Sequence, residues 1–279
     1  MKKPNELFDV SVEAAKGKAN GSFLKLAVLG ILAGAFIAIG AETSNMASFG
    51  LLAEADTYGL GRALAGCLFP VGLMLVVLAG AELFTGNCLM VGGVIRRQFS
   101  TSRMLRNWVI VYVFNMVGAV ILVLFIHLSG QLHSGGDLLG AVTLKIAAGK
   151  VNLSFVSALV SGIMCNWLVC LGVWLAYAAE TFAGKILGIF FPIWLFVTSG
   201  FEHSVANMYY IPAGILANTN PDYVQKAVEI GVKPESLDAL NLQGFFVTNL
   251  IPVTIGNIIG GAVFVSLAYF IAYGRGAQK

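Results

Sequence analysis

Charged residues are scarce in this sequence. Its 279 residues include 17 Lys and Arg and 14 Asp and Glu, so that 11% are charged and 58% are hydrophobic. A soluble domain usually carries about 25% charged residues. This shortage excludes an ordinary soluble domain, and the mean hydropathy of +0.84 indicates a chain buried in a membrane.

Metal-ligating and nucleophilic residues are also few. There are four cysteines and three histidines. None of the cysteines has a second Cys or a His at zinc-site spacing, so we predict no metal site, no cofactor and no disulfide. No Gly-x-Ser-x-Gly or His-x-x-Glu-His string occurs, which argues against a membrane enzyme. The basic stretch 16–25 lacks interleaved aromatic residues and adjoins an apolar segment, which indicates a juxtamembrane anchor and no nucleic-acid partner.

Long apolar stretches, in contrast, are abundant. A helix needs about 20 residues to cross the hydrocarbon core of a bilayer. The uncharged stretches are Leu26–Ala41, Cys67–Ala81, Trp108–Ile126, Phe155–Ala179, Ile186–Phe201 and Phe245–Tyr273. We therefore predict an all-α membrane protein with six transmembrane helices, forming a single transmembrane domain over residues 1–279.

The second and fifth apolar stretches end in the same polar pattern. Glu82 is followed five residues later by Asn87, and Glu202 is followed five residues later by Asn207. Phe-Pro precedes both, at 69–70 and at 191–192. Paired interruptions of this kind are typical of transport sites at the bilayer midplane. We predict that helices two and five are broken there. A structural or sensor membrane protein would not need paired breaks.

Further matches indicate an inverted three-plus-three repeat. Asn115 and Gly118 correspond to Asn257 and Gly260, and Ala-Glu-Thr occurs at 41–43 and again at 179–181. We predict repeat one at about 24–130 and repeat two at about 153–274. Residues 1–23 would form a cytoplasmic N-terminal segment, either an amphipathic helix at the channel mouth or a surface anchor.

Basic residues predict the orientation. With both termini in the cytoplasm, the inner segments carry twelve Lys and Arg and the outer segments carry five. The inner set is Lys2, Lys3, Lys16, Lys18, Lys25, Arg96, Arg97, Arg103, Arg106, Lys185, Arg275 and Lys279, and the outer set is Arg62, Lys145, Lys150, Lys226 and Lys233. This asymmetry predicts a multi-pass protein of the cytoplasmic (inner) membrane with both termini inside.

The breaks suggest a chemistry. Two half-helices that begin at the centre would present N-terminal amides, which attract anions. Thr85 adds a hydroxyl there, and His203 adds an imidazole that can exchange protons near neutral pH. The alternative is that His203 is a core histidine with a hydrogen-bonding neighbour. Glu82 and Glu202 are costly inside a membrane and need partners. We expect them to accept hydrogen bonds from loop amides and pin the breaks, with a proton relay as the alternative.

Four strings carry a resemblance to a known family. They are Ala81-Glu-Leu-Phe-Thr-Gly-Asn87, Asn166-Trp-Leu-Val-Cys-Leu171, Gly200-Phe-Glu-His-Ser-Val-Ala-Asn-Met208 and Asn257-Ile-Ile-Gly-Gly261. In this order they resemble the formate/nitrite transporter family, which includes hydrosulfide channels. The resemblance covers essentially the whole chain. It implies a homopentamer with one aquaporin-like pore in each protomer.

The resemblance also implies roles for particular residues. Thr85 and His203 would form the central pore pair. Leu73 and Phe196 would form the cytoplasmic constriction, and Phe69 and Phe84, with the neighbouring Leu83, the central or periplasmic one. Lys150 and Asn166 would lie in a polar vestibule. The supporting polar residues would be Glu82, Glu202, Asn87, Asn207 and Asn257.

The implied permeant is a small monovalent anion of a weak acid. Formate leads, because it is the commonest assignment in the family, with nitrite and hydrosulfide as alternatives. A proton-coupled symporter remains an alternative to a channel. His203 could protonate the anion, or His203 and Thr85 could keep it hydrogen-bonded throughout, and the sequence does not choose between the two.

Overall fold

The computed structural model describes residues 1–274, and these residues form helices and connecting loops without a β-strand. Arg275 and Lys279, which entered the charge count above, lie outside the described residues. Six helices in the described chain are long and apolar enough to cross a membrane. They are α2 (Phe23–Ala53), α3 (Tyr58–Gly80), α5 (Thr101–Leu128), α7 (Phe155–Ala178), α8 (Phe182–Ser199) and α12 (Gly244–Gly274).

Shorter helices complete the fold. The bounds are α1 (Pro4–Ala19), α4 (Phe84–Ile95), α6 (Leu138–Val151), α9 (Ser204–Ala217), α10 (Pro221–Glu229) and α11 (Pro234–Leu237). The helix α3 ends in a π-helical segment, Leu75–Gly80, and α12 contains three such segments. A single 3₁₀ turn, Gln131–His133, lies between α5 and α6.

Spans two and five are interrupted next to the polar patterns. The helix α3 stops at Gly80, whose φ is +86°, and α4 begins after three non-helical residues. The helix α8 stops before Gly200, whose φ is +78°, and α9 begins at Ser204. Glycine adopts positive φ without steric cost, so each span ends sharply at a glycine. The chain then continues as a second, shorter helix.

The two halves of the chain begin alike. Ser22 caps α2 by accepting from the Lys25 amide, and Ser154 caps α7 by accepting from the Ser157 amide. Just before them, Asn20 is the C-cap of α1 and Asn152 is the C-cap of α6. The helix α1 thus has α6 as its counterpart. The equivalence between the halves extends to α1, beyond the predicted repeat start at residue 24.

Close helix packing also occurs twice. A Cβ added to Gly118 on α5 would lie 2.0 Å from the Ile31 carbonyl oxygen of α2. A Cβ added to Gly260 on α12 would lie 2.4 Å from the Ile163 carbonyl oxygen of α7. Small residues at such crossings let helix backbones touch, which is how membrane helices pack tightly. The pairs α2–α5 and α7–α12 therefore form matching walls.

Two of the matches read from the sequence are not equivalent positions. Residues 41–43 lie inside α2, which continues to Ala53, whereas residues 179–181 follow the end of α7. The Phe-Pro pairs also differ, because Phe191 is 56% exposed while Phe69 is buried. The ring that contacts Phe69 belongs to Phe196. Short apolar strings recur by chance. Two positions are structurally equivalent only where they make the same hydrogen bonds and packing contacts in both halves.

Candidate functional site

An asparagine side chain holds the first break. Asn115 on α5 accepts from the Phe84 amide through Oδ1 at 3.0 Å. Its Nδ2 donates to the Glu82 carbonyl at 2.9 Å and to the Gly30 carbonyl of α2 at 2.8 Å. A break inside a membrane leaves backbone groups without helical partners, and these must be satisfied within the protein. One fully buried amide side chain satisfies two of them, the Phe84 amide and the Glu82 carbonyl, and also ties the break to α2 through Gly30.

The second break is held in the same way. Asn257 on α12 accepts from the Ser204 amide at 2.9 Å. Its Nδ2 donates to the Glu202 carbonyl at 2.9 Å and to the Gly162 carbonyl of α7 at 2.8 Å. The same atoms therefore make the same three contacts in both halves. Asn257, predicted as a supporting residue, bonds to the backbone on both sides of His203 and to α7.

Several amides around the breaks already have partners. Besides Phe84 and Ser204, the Glu82 amide donates to the Leu29 carbonyl, and the Glu202 amide donates to the Ser161 carbonyl. The Ala206 amide donates to the His203 ring. These particular amides are not available to an anion, contrary to the simplest form of the half-helix expectation. The side chains at the centre are therefore the better candidates.

Each glutamate of the breaks sits in a side-chain network. Glu82 accepts from Lys18 Nζ at 3.0 Å and from Asn87 Nδ2 at 2.8 Å. Asn87 Nδ2 also donates to Asn107 Oδ1, and Asn107 Nδ2 donates to the Lys18 carbonyl. The donors to the carboxylate are side chains and not the predicted loop amides. The effect is nevertheless to tie the first break to α1 and α5.

Glu202 repeats this network. It accepts from Lys150 Nζ at 2.8 Å and from Asn207 Nδ2 at 2.6 Å. Asn207 Nδ2 also donates to Asn249 Oδ1, and Asn249 Nδ2 donates to the Lys150 carbonyl. The second break is thus tied to α6 and α12 by the same set of residue types. The carboxylates of Glu82 and Glu202 thus each have a cationic partner, as a charged group at membrane depth requires.

Thr85 and His203 meet where the two breaks approach each other. Thr85 Oγ1 lies 3.0 Å from His203 Nε2, and both side chains are buried. His203 Nδ1 accepts from the Ala206 amide at 2.9 Å. Because a backbone N–H can only donate, Nδ1 is an acceptor, and the neutral ring carries its proton on Nε2. That N–H donates to Thr85 Oγ1, so the hydroxyl proton of Thr85 remains free to point elsewhere.

Two side chains of α7 hold the backbone carbonyl of Thr85. Its carbonyl accepts from Asn166 Nδ2 at 3.1 Å and from Cys170 Sγ at 3.4 Å. Asn166 also donates to the Asn257 carbonyl and is fully buried. Asn166 does not line the cavity described below, and its side chain bonds to the Thr85 and Asn257 carbonyls, so its vestibule position stays a prediction. A polar residue on a helix can face either way, and the rotation of α7 decides which.

Two aromatic rings pack beside the Thr85–His203 pair. Phe69 and Phe196 meet edge to face with ring centroids 5.5 Å apart, and the Phe196 ring stacks over His203 at 6.0 Å. Leu73, one helical turn after Phe69, is buried. The predicted division of the constrictions is corrected here, because Phe196 pairs with Phe69.

Phe84 belongs to different surroundings. Its ring lies 4.8 Å from Tyr112 and 5.9 Å from Trp108, both on α5. Leu83, which precedes α4, is also buried. The ring contacts thus separate Phe84, which packs on α5, from Phe69 and Phe196, which pack on each other.

A cavity of about 280 Å³, here called the vestibule, reaches the Phe69–Phe196 contact from the α6 end of the bundle. Lys150, Glu202 and His203 line it. An ion approaching from this end would thus meet the paired Lys150 and, where the cavity ends, the Phe69–Phe196 contact and the imidazole of His203 side by side. Lys150 Nζ also lies over the Tyr210 ring at 5.1 Å.

Lys18, Asn107 and Asn249 were missed at the level of sequence. Lys18 looks like an interfacial charge when the chain is read alone. A signal did exist, since Asn20 and Ser22-Phe23 follow Lys18 at the same spacing as Asn152 and Ser154-Phe155 follow Lys150. That string aligns the two lysines.

Two broken spans that meet at a polar pair within a six-span bundle define a membrane channel or transporter. The described residues also contain no group of three or more His, Cys, Asp or Glu side chains arranged to hold a metal. The chain belongs to the formate/nitrite transporter family, whose model, described as "Formate/nitrite transporter", matches residues 5–271.

Curated relatives and solved structures agree with this family. An uncharacterized transporter, YrhG, of Bacillus subtilis is 43% identical over 98% of this chain and 94% of its own. The formate channel FocA of Escherichia coli K12 is 37% identical over 98% of this chain and 94% of its own. A solved structure titled as a pentameric formate channel with formate bound superposes with a TM-score of 0.79 at 34% identity, covering 90% of this chain and 97% of that one.

Proposed function

We propose that this protein is a channel for a small monovalent weak-acid anion, with formate as the leading substrate. The observation that carries the proposal is the buried Thr85–His203 pair at the meeting of the two breaks. Formate leads because several relatives are formate channels. Nitrite and hydrosulfide are the alternatives within the family.

The path begins in the vestibule, where Lys150 draws the anion inward. At the Phe69–Phe196 contact the ion meets an apolar passage, and burying an unpaired charge there is very costly. Thr85 supports the crossing because its hydroxyl proton is not used by His203 and can be donated to a formate oxygen.

His203 supplies the second element. In one route the ring first takes a second proton on Nδ1 from water, which requires the Ala206 amide to lose its bond to that nitrogen. The resulting imidazolium gives its Nε2 proton to a carboxylate oxygen, the neutral acid crosses, and the ring returns to its starting tautomer by proton exchange with water. In the other route Thr85 and His203 only donate hydrogen bonds to the anion. The neutral ring of this structure, with Nδ1 accepting from the Ala206 amide, can supply the second route as it stands. In the first route, a net proton carried with each anion would make the protein a symporter.

Supporting residues keep this centre rigid. Glu82 and Glu202, with Asn87, Asn207, Asn257 and Asn166, hold the breaks and the Thr85 backbone. Leu73, Leu83 and Phe84 complete the apolar lining on either side. Lys18 serves the α1 end of the pore as Lys150 serves the α6 end.

We further propose a homopentamer in the cytoplasmic membrane, with one pore in each protomer and both termini in the cytoplasm. The solved relative titled as pentameric supports the assembly. The excess of basic residues at the α1 end supports the orientation.

The test is anion flux into liposomes across the weakly acidic pH range. His203→Phe keeps the ring volume but has no titratable nitrogen, so the pH dependence of the wild-type flux should disappear. Thr85→Val is the matched control, because it removes the hydrogen-bond partner and leaves the imidazole. It should weaken anion binding more than it changes the pH profile.

A His203→Phe variant that keeps the wild-type pH profile would make the histidine a structural residue and end the protonation route. Counting protons carried per anion in the same liposomes separates a passive channel from a symporter.

A further inference from the structure

Two cations in the vestibule wall have no carboxylate partner. Arg62 and Lys145 both line the cavity. Among residues 1–274 neither side chain takes part in an ion pair, whereas Lys150 is paired with Glu202. The vestibule therefore holds two positive charges that the nearest protein groups do not neutralise. An anion is the natural counterion.

The two cations differ in what already binds them. Lys145 Nζ donates to the Leu52 and Ala53 carbonyls at 3.0 and 3.1 Å. Arg62 donates through one Nη to the Val197 carbonyl near the end of α8. Of the five guanidinium N–H groups, four have no protein acceptor among the described residues. Arg62 thus retains a fork of donors, and Lys145 retains at most one.

Arg62 also occupies a particular place along the path. It lies on α3, two turns before Phe69, so both side chains fall on one face of that helix. Its Nη2 lies 3.4 Å from the position of a Cβ added to Gly200, at the break in span five. The guanidinium therefore sits immediately outside the Phe69–Phe196 contact, on the vestibule side.

The guanidinium fork selects by shape. Its parallel N–H groups match the two oxygens of a planar anion such as a carboxylate, and this bidentate pairing is stronger than pairing with a point charge. Formate and nitrite present two oxygens in one plane, whereas hydrosulfide presents a single sulfur.

We infer that Arg62 forms a subsite for planar two-oxygen anions at the inner end of the vestibule, before the apolar contact, and thereby favours formate and nitrite over hydrosulfide. The inference rests on the proposed function. It assigns part of the anion selectivity to a residue outside the Thr85–His203 pair.

A purely structural role is the competing explanation. A cation near the C-terminus of α8 is favourable in its own right, since the last carbonyls of a helix carry partial negative charge. Arg62→Lys separates the two roles. Lysine keeps the charge and can still donate to the Val197 carbonyl, but it has no fork.

The experiment measures initial flux against anion concentration in liposomes for wild type and Arg62→Lys, with formate and with hydrosulfide. We expect the half-saturating formate concentration to rise about tenfold, as for the loss of a charge-assisted hydrogen bond, with an unchanged maximal flux. For hydrosulfide the change should be less than about twofold, because the charge is retained.

Lys145→Gln is the matched control for charge alone. It should raise the half-saturating concentrations of both anions by a similar factor, and more so at low salt, because it weakens only the electrostatic attraction. A formate-selective loss as large as that of Arg62→Lys would overturn the assignment to Arg62.

An unchanged formate half-saturation in Arg62→Lys, or an equal loss of maximal flux for both anions, also overturns the inference. Either result would leave the proposed function standing. Wild-type protein that carries no formate would instead end the proposed function itself.

Discussion

The two halves of the pore share a scaffold and differ in what they show to a permeant. Asn115 and Asn257 satisfy equivalent backbone atoms, and Glu82 and Glu202 sit in matching networks. At the breaks, however, Leu83, Phe84 and Thr85 occupy the places held in the second half by His203, Ser204 and Val205.

This comparison separates the residues that hold the structure from those that face the permeant. The duplicated side chains are those that satisfy backbone groups and charges at membrane depth, where every such group must have a partner. The unlike residues face the centre, where Thr85 from one half meets His203 from the other. The chemistry of the site therefore requires both halves, and neither copy contains it alone.

The largest effect should come from breaking the shared scaffold. Asn115→Leu and Asn257→Leu each leave two buried backbone groups of a break without a partner, at about 1–3 kcal/mol for each group. We expect both to lower the free energy of unfolding by about 2–6 kcal/mol, and to similar extents. Thermal unfolding in detergent measures this, with Asn5→Leu, an exposed position on α1, as the control. A large loss in one variant and none in the other would show that the halves are not energetically equivalent.

A second experiment sharpens the division of the apolar residues. Phe196→Ala removes one ring of the contact with Phe69, so anion flux should rise several-fold and selectivity against larger carboxylates should fall. Phe84→Ala should instead cost about 3 kcal/mol of stability, because its ring packs on Trp108 and Tyr112. Liposome flux and thermal unfolding are measured on both. Equal flux increases in the two variants would contradict the division made by the structure.

The smallest effect concerns the caps. Ser22→Ala and Ser154→Ala each remove one N-cap, worth about 1 kcal/mol. The Ser154 bond is 3.1 Å long and the Ser22 bond 3.3 Å, so Ser154→Ala should cost slightly more. The midpoint of thermal unfolding reports both. No change in either would show that α2 and α7 are held by packing alone.

Much of the fold follows from sequence because the bilayer narrows the possibilities. Six apolar stretches predicted six spans, and all six are present among the described residues. Glu82 and Glu202 identified the breaks, since carboxylates are tolerated in a membrane only where polar partners exist.

The contacts around the breaks did not follow in the same way. Which ring meets Phe69 depends on how α8 lies against α3. The position of Asn166 depends on the rotation of α7. The pairing of Lys18 with Glu82 could not be predicted, because a lysine before the first span resembles an interfacial charge. Each of these outcomes is set by tertiary packing and not by local pattern.

The docking of α1 has a consequence for biosynthesis. Lys18 pairs with Glu82, and Phe8 packs on Phe270, so α1 touches segments that are made both early and last. The helix α1, which precedes the six spans, can therefore complete its contacts only after the last span has entered the bilayer. The docking of α1 therefore indicates that the last span is in place. Truncation within α12 should leave α1 accessible to protease even when the earlier spans are inserted.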